Sequence, residues 1–294
     1  MVPFFVWLVD PNIMFERDWL YDLCAIGGHT TVNQVYEKDM DLVYPGAVVV
    51  FNHSVDYNTY LLKYESQKVP FVAIHLSDET LGDDVGFYHL GMCKHIFRTY
   101  YHPMVSKYPH VTTIGLGYKT GFTRIQVSTE YPRFYHWCFA GNLHSASRLS
   151  QVVSYCPLFP YYLHTTMDGF SSKDGLTVDK YKHMLLSSKF ALCPQGQGNL
   201  DTFRFYEALE AGCIPVVLRE TAQQPSYWQH LFECDDLPFI TGDTLEDTFD
   251  QMRRALYHGS TYASMAIRTK EFWDDTKRKW GTNLCKTIEA CLTP

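Results

Sequence analysis

No apolar run in this 294-residue chain approaches the length at which a helix spans a bilayer. The apolar stretch 3–9 lacks a basic leader and stops at Asp10-Pro11-Asn12, so it reads as a first buried strand and not as a signal peptide. A basic excess is missing too: the net charge is −7, which leaves no overall positive field for nucleic acid or acidic membranes. A small positive pocket remains compatible with that balance. The nine cysteines are odd in number and contain no Cys-x-x-Cys pair, and several lie in apolar runs, so they are expected as reduced, buried thiols in a reducing compartment. There is no His-Glu-x-x-His, no zinc-ligand spacing and no Walker phosphate loop, and the 13 histidines are scattered. Internal repeats and low-complexity tracts are absent.

What is present is a large apolar fraction, 46%, with 16% aromatic residues and 19% charged ones, enough for a substantial core in one large domain or two ordinary ones. Strand and helix patterns alternate. In the first half, strands are predicted at 4–9, 47–51 and 70–76 and, more weakly, at 96–101 and 112–116, with helices at 18–26 and up to about 66. In the second half, strands are predicted at 135–140, 158–163, 190–193, 214–218 and 237–241, with helices at 144–156, 178–187, 202–211, 245–257 and 262–292. This alternation predicts an α/β fold with parallel sheets covered on both faces. The polar stretch 126–133, which contains a proline, is the best linker, dividing a domain over 1–130 from one over 131–261, with a helical segment over 262–294.

The most informative stretch runs from Ser188 to Leu218 and reads as strand, glycine loop, helix, glycine stop, strand. Pro194, Gly196 and Gly198 form a loop that lets backbone approach a ligand closely. Asp201 or Thr202 can cap the helix that follows, and Phe203 stands at its start. A glycine loop feeding a helix N-terminus favours anions, because free N–H groups and the helix dipole both attract negative charge. Arg204 and Glu207 lie three apart and share a face, so one can hold phosphate and the other accept sugar hydroxyls, against the plain alternative of a surface ion pair. The dinucleotide fingerprint is incomplete, lacking its third glycine, which weighs against an oxidoreductase.

Ser188, Phe190, Leu192, Pro194 and Gly196, then Arg204, Glu207 and Ala208, then Gly212-Cys213-Ile214-Pro215-Val216 together resemble the signature of the exostosin-type glycosyltransferases. Ile74-His75-Leu76-Ser77-Asp78-Glu79, the segment from Gly115 to Phe122, and Phe139-Ala140-Gly141-Asn142 extend the resemblance to residues 70–220, and they are similar above all to the xylosyltransferase branch. The resemblance implies two facing Rossmann-like domains of the GT-B type, the active site in the cleft, and a C-terminal helix bracing the first domain. It implies a UDP-sugar donor in the C-terminal domain, a glycan acceptor in the N-terminal domain, inversion by single displacement and no essential metal or other cofactor. Xylose is the donor sugar suggested by the upstream segments. A non-catalytic UDP-sugar- or glycan-binding module and a dinucleotide-dependent oxidoreductase are the alternatives. Many animal members carry a membrane anchor that this sequence does not show, so the expected location is cytoplasmic, or the Golgi lumen if an anchor was removed.

The residues expected at the donor are Gly141, Asn142, Arg148, Pro194, Gly196, Gly198, Thr202, Phe203, Arg204 and Glu207; for Arg148 a solvated helix face is an equal alternative. Some Tyr and Trp are expected to stack on sugar. The base must be a carboxylate or histidine. Asp78 and Glu79 come first, on the loop after a buried strand where open α/β sheets present ligands, followed by Asp56, then Asp10 and His53; capping or a solvated loop is the alternative for each. Asp39-Met40-Asp41 has the form of a manganese-binding Asp-x-Asp but precedes a strand instead of following one, so it reads as a turn and no metal ligand is expected.

Overall fold

The computed structural model describes residues 3–36, 41–122, 132–143, 145–167, 173–196, 198–221 and 224–292. Asp39, Met40, residues 126–131 of the expected linker and Gln197 of the glycine loop lie outside the described residues. Two compact units emerge, one comprising Met1–Thr120 with Asp275–Pro294, the other Gly121–Asp274.

The first unit contains β1 (Phe4–Leu8), α1 (Arg17–Ile26), β2 (Asn33–Tyr36), β3 (Ala47–Phe51), α2 (Tyr57–Ser66), β4 (Phe71–His75), β5 (Cys93–Arg98), α3 (Pro103–Ser106) and β6 (Val111–Thr113). Its strands pair in the order β2-β1-β3-β4-β5-β6, each neighbouring pair parallel. β3 and β4 are buried at every residue. Their unbroken apolar runs follow from that, since a parallel strand covered on both faces has no side to leave polar. Asp56 caps α2 by accepting from the Thr59 N–H, and Asp10 caps a 3₁₀ turn by accepting from the Asn12 N–H, so both take the capping role.

The second unit contains β7 (Tyr135–Asn142), α4 (Ala146–Tyr155), β8 (Tyr161–Thr166), α5 (Val178–Leu186), β9 (Ser188–Leu192), α6 (Phe203–Glu210), β10 (Ile214–Leu218), α7 (Tyr227–Phe232), β11 (Ile240–Gly242), α8 (Leu245–Tyr257) and the first part of α9 (Gly259–Leu292). The sheet order is β11-β10-β9-β7-β8, again parallel throughout. β8 begins at Tyr161 and not at 158, because Pro157 and Pro160 have no N–H to give a ladder. Arg133, placed in the expected linker, donates to the carbonyls of Leu185, Ser188 and Ala211 and so belongs to the framework of this unit.

From Asp275 onward, α9 packs within the first unit. A Cβ on Gly27 would fall 2.4 Å from Cys285 Sγ, and one on Gly281 would fall 2.5 Å from the Leu23 carbonyl, so glycine on both sides lets α1 and α9 touch backbone to backbone. Trp280 meets Trp19 edge-on at 6.3 Å. All six tryptophans are buried, with Phe205 and Trp228 stacked at 4.5 Å in the second core. The expected sugar-stacking role therefore finds no tryptophan; the core claims them.

Candidate active site

In the second unit the chain leaves β7 toward β8 on one side and returns to place β9 on the other. The crevice outside the carboxyl ends of β7 and β9 is thus a topological switch point, where open α/β sheets bind ligands. Gly141 and Asn142 end β7 there, Pro194 and Gly196 follow β9, and α6 starts there.

Arg204, in the first turn of α6, is held firmly. Its Nε and Nη2 donate to the Ala140 carbonyl at 3.2 and 2.9 Å, and its guanidinium lies over the Phe139 ring, 4.8 Å from the centroid. Gly141 makes this possible: its φ is +146°, and a Cβ there would sit 2.7 Å from Arg204 Nη2. Arg148 is half-buried and bridges the two lips of the crevice, with Nη1 donating to Asn142 Oδ1 at 2.9 Å and Nη2 to the Gln195 carbonyl at 2.9 Å. These bonds tie the end of β7 to the glycine loop.

That loop is closed by the Gly196 N–H donating to the Asn199 carbonyl at 2.8 Å, with Pro194 buried and Gly198 exposed. Asp201 does not cap α6; it is buried and accepts from the Tyr206 hydroxyl at 2.6 Å. Thr202 stands at the cap position but makes no side-chain cap bond, and its hydroxyl is buried without a hydrogen-bond partner among the described residues. Thr202 therefore does not cap the first turn of α6 through its side chain; Phe203 there is half-buried, and the Phe205 N–H donates to the Thr202 carbonyl at 3.0 Å. Glu207 is buried at 7% exposure and hydrogen-bonds Tyr181 of α5, so it is no surface pair. Burial and the Glu207 carboxylate push the Tyr181 hydroxyl well above its ordinary range, which keeps it a donor.

The corresponding edge of the first unit carries buried charge. Asp78 Oδ1 accepts from the N–H groups of Gly82 and Asp83 at 2.8 and 3.2 Å, while Oδ2 pairs with Arg98 Nη2 at 3.3 Å, both side chains nearly inaccessible. Arg98 also donates to the carbonyls of Thr99 and Tyr100 and to the Tyr88 hydroxyl. His75 Nε2 lies 2.9 Å from Asp83 Oδ2, and burial holds its pKa below the ordinary value. His75, Asp78 and Asp83 converge within 4.8 Å. Each already has a partner and a guanidinium stands among them, so the cluster reads as a buried charge network.

Glu79 is half-buried on the same loop, and its N–H donates to the Ser77 carbonyl. The residue sequence reasoning missed is Glu16, on the connection from β1 to α1. It has no solvent exposure and accepts from the Ser77 hydroxyl at 2.8 Å through Oε1, and burial pushes its carboxyl up to about 7. Nothing local in Phe15-Glu16-Arg17 signals this, since the burial comes from distant segments.

Two parallel α/β units of this kind define the class. The fold is that of GT-B glycosyltransferases: the chain is similar to T4 phage BGT in complex with UDP-glucose (TM-score 0.53, 13% identity, 98% of this chain and 100% of that one). It is also similar to Anabaena HepE in complex with UDP and glucose (TM-score 0.58, 6% identity, 98% and 100%). Within that class, residues 98–231 match the Exostosin GT47 domain, so the chain is exostosin-like over the stretch that carries Arg204 and Glu207. Exostosin-1a of Danio rerio is 43% identical over 60 residues, 20% of this chain but 8% of that protein, so the chain matches only a small part of the curated relative's length. Among the described residues no helix is long and apolar enough to cross a membrane.

Proposed function

We propose that this protein is an inverting glycosyltransferase that moves a sugar from a UDP-sugar to a hydroxyl of a glycan acceptor. The observation that carries the reading is the fixed guanidinium of Arg204 in the first turn of α6, at the switch point of the second unit. As the sugar departs, negative charge grows on the diphosphate. Donors already locked in place stabilise that charge without reorganising. Arg148 keeps the loop and Asn142 in register around it. Glu207, oriented by Tyr181, accepts from ribose hydroxyls. These groups take up the leaving-group charge without an essential metal, and the sequence pattern upstream makes xylose the first donor to try.

Inversion by single displacement leaves the acceptor hydroxyl's proton to the first unit, on the loop after β4, where Asp78 and Glu79 were expected to act. Asp78 is already engaged by Arg98 and two backbone donors, so of the two Glu79 is the first to test.

The test is UDP-induced stabilisation followed by a donor panel. UDP should raise the melting temperature with EDTA present. One of UDP-xylose, UDP-galactose, UDP-glucuronic acid, UDP-arabinose and UDP-N-acetylglucosamine should release UDP slowly with water as acceptor. A manganese requirement, or equal stabilisation by NADH, defeats this reading; UDP binding with no turnover of any donor favours a binding module.

A further inference from the structure

Glu16 and Ser77 are brought together from separate parts of the chain at the ligand-presenting edge of the first sheet. Glu16 follows β1, whose carboxyl end lies beside that of β3 where the strand order reverses, and Ser77 lies two residues beyond β4. Ser77 is half-buried and sits in the left-handed region with φ +61°, which a non-glycine residue adopts only when its surroundings impose it. Two bonds impose it here: its N–H donates to Thr99 Oγ1 at 3.0 Å and its hydroxyl donates to Glu16 Oε1 at 2.8 Å. Behind it, Glu16 is fully enclosed, and its second oxygen, Oε2, has no hydrogen-bond partner among the described residues.

An enclosed carboxylate with one oxygen unsatisfied is poorly stabilised as an anion, and so is a strong proton acceptor. The hydroxyl of half-buried Ser77, bonded to that carboxylate, can accept one proton while passing on another. We propose that Ser77 and Glu16 form the relay by which the acceptor loses its proton. The inference rests on the transferase reading above and names the proton sink that reading leaves to this loop. In the step, the acceptor oxygen bonds to the anomeric carbon while the bond from that carbon to the UDP oxygen breaks, its electron pair leaving on UDP. The acceptor's proton goes to Ser77 Oγ as the Ser77 proton goes to Glu16 Oε1, so the carboxyl ends neutral and Ser77 is unchanged. Ser77 is the group that touches the acceptor, and Glu16 acts through it.

The carboxyl's rise to about 7 agrees with this geometry, because a base is most effective when its pKa lies near the working pH. Its cause is burial, opposed only by the Ser77 hydroxyl and the residue's own N–H. Charged groups on the segments that meet here do not set it: Arg17 pairs with Asp18 at 3.0 Å, Arg98 pairs with Asp78, His75 lies 2.9 Å from Asp83, and Glu79 and Asp84 are the remaining acids on the loop.

The test uses the full chain and UDP release from whichever UDP-sugar of the panel turns over fastest. Wild-type turnover should rise with pH and reach half its plateau near 7. Glu16→Gln, which keeps the shape and the Ser77 bond, should lower turnover about a hundredfold or more and lose that pH limb, with UDP-induced stabilisation unchanged. Ser77→Ala should lose at least tenfold, and Glu16→Asp should restore part of the rate with its pH limb. Glu16→Gln with near-normal turnover and an unchanged pH profile overturns the relay. If that result comes with a large loss in Glu79→Gln, Glu79 is the direct base. A wild-type chain that UDP does not stabilise overturns the transferase reading itself, which separates the two failures.

Discussion

The two sheets have the same parallel construction, yet their ligand-presenting edges are built in opposite ways. In the second unit the polar groups are a guanidinium on a backbone carbonyl, glycine-shaped backbone and the start of a helix whose cap residue makes no side-chain bond, the arrangement proposed above to meet an anion. In the first they are carboxylates drawn inside, one paired with Arg98 and one left against a serine. The difference teaches where each kind of chemistry can be kept. Donors for a phosphate work best when fixed and open to ligand, whereas a carboxylate becomes a base near neutral pH only when it is taken out of water.

The comparison breaks most visibly at the Asp78–Arg98 pair. Asp78→Asn leaves a buried guanidinium without its counter-charge and should cost about 3–5 kcal/mol of stability, read by urea unfolding. A loss below about 1 kcal/mol would show that the pair does not hold the β4 loop. This effect on folding also separates Asp78 from a base, whose amide variant loses rate without losing stability.

Glu16 sharpens the contrast through pH. Burial holds its carboxyl at about 7 against an ordinary 4.5, equivalent to about 3 kcal/mol. Because the folded-state value is raised, the neutral acid is the form the fold favours. Its contribution is fully present below pH 4.5 and is lost as pH rises through 7. Glu16→Gln should flatten that part of the stability curve and be more stable than wild type at pH 8, as urea unfolding at pH 5, 7 and 8 will show. Parallel curves for the two proteins would place the carboxyl in water.

On the donor side, Arg204→Ala should lower turnover about a hundredfold, as with loss of an oxyanion donor, equivalent to about 2.7 kcal/mol, while leaving the unfolding midpoint nearly unchanged. Steady-state UDP release measures the first and thermal melting the second. Equal losses in rate and stability would make Arg204 a structural residue only. The smallest effect is expected at Asp56, where removal of the α2 cap by Asp56→Ala should cost about 1 kcal/mol with no change in turnover. A loss of turnover there would return Asp56 to the list of bases.

The alternation of apolar runs and amphipathic stretches carried most of the strands and helices, though not β2 or the short helices α3 and α7. β2 escaped because Asn33–Tyr36 is an exposed edge with only Val35 half-buried, so it has neither the apolar run of a central strand nor its alternation. The capping expectation at α6 failed for a related reason. Asp201 and Thr202 are both good cap residues locally, but the Tyr206 hydroxyl takes Asp201 and the backbone leaves Thr202 unpartnered.

The sequence by itself determined the α/β class and the strand–loop–helix unit from Ser188 to Leu218, because a glycine loop and a helix start are properties of neighbours along the chain. The structure alone decided which carboxylates lie buried, that Arg148 spans the crevice, and that Glu16 meets Ser77 across sixty-one positions. Burial and ion pairing depend on which distant segments the sheet order brings side by side, and no local pattern encodes the environment that sets a carboxyl's pKa.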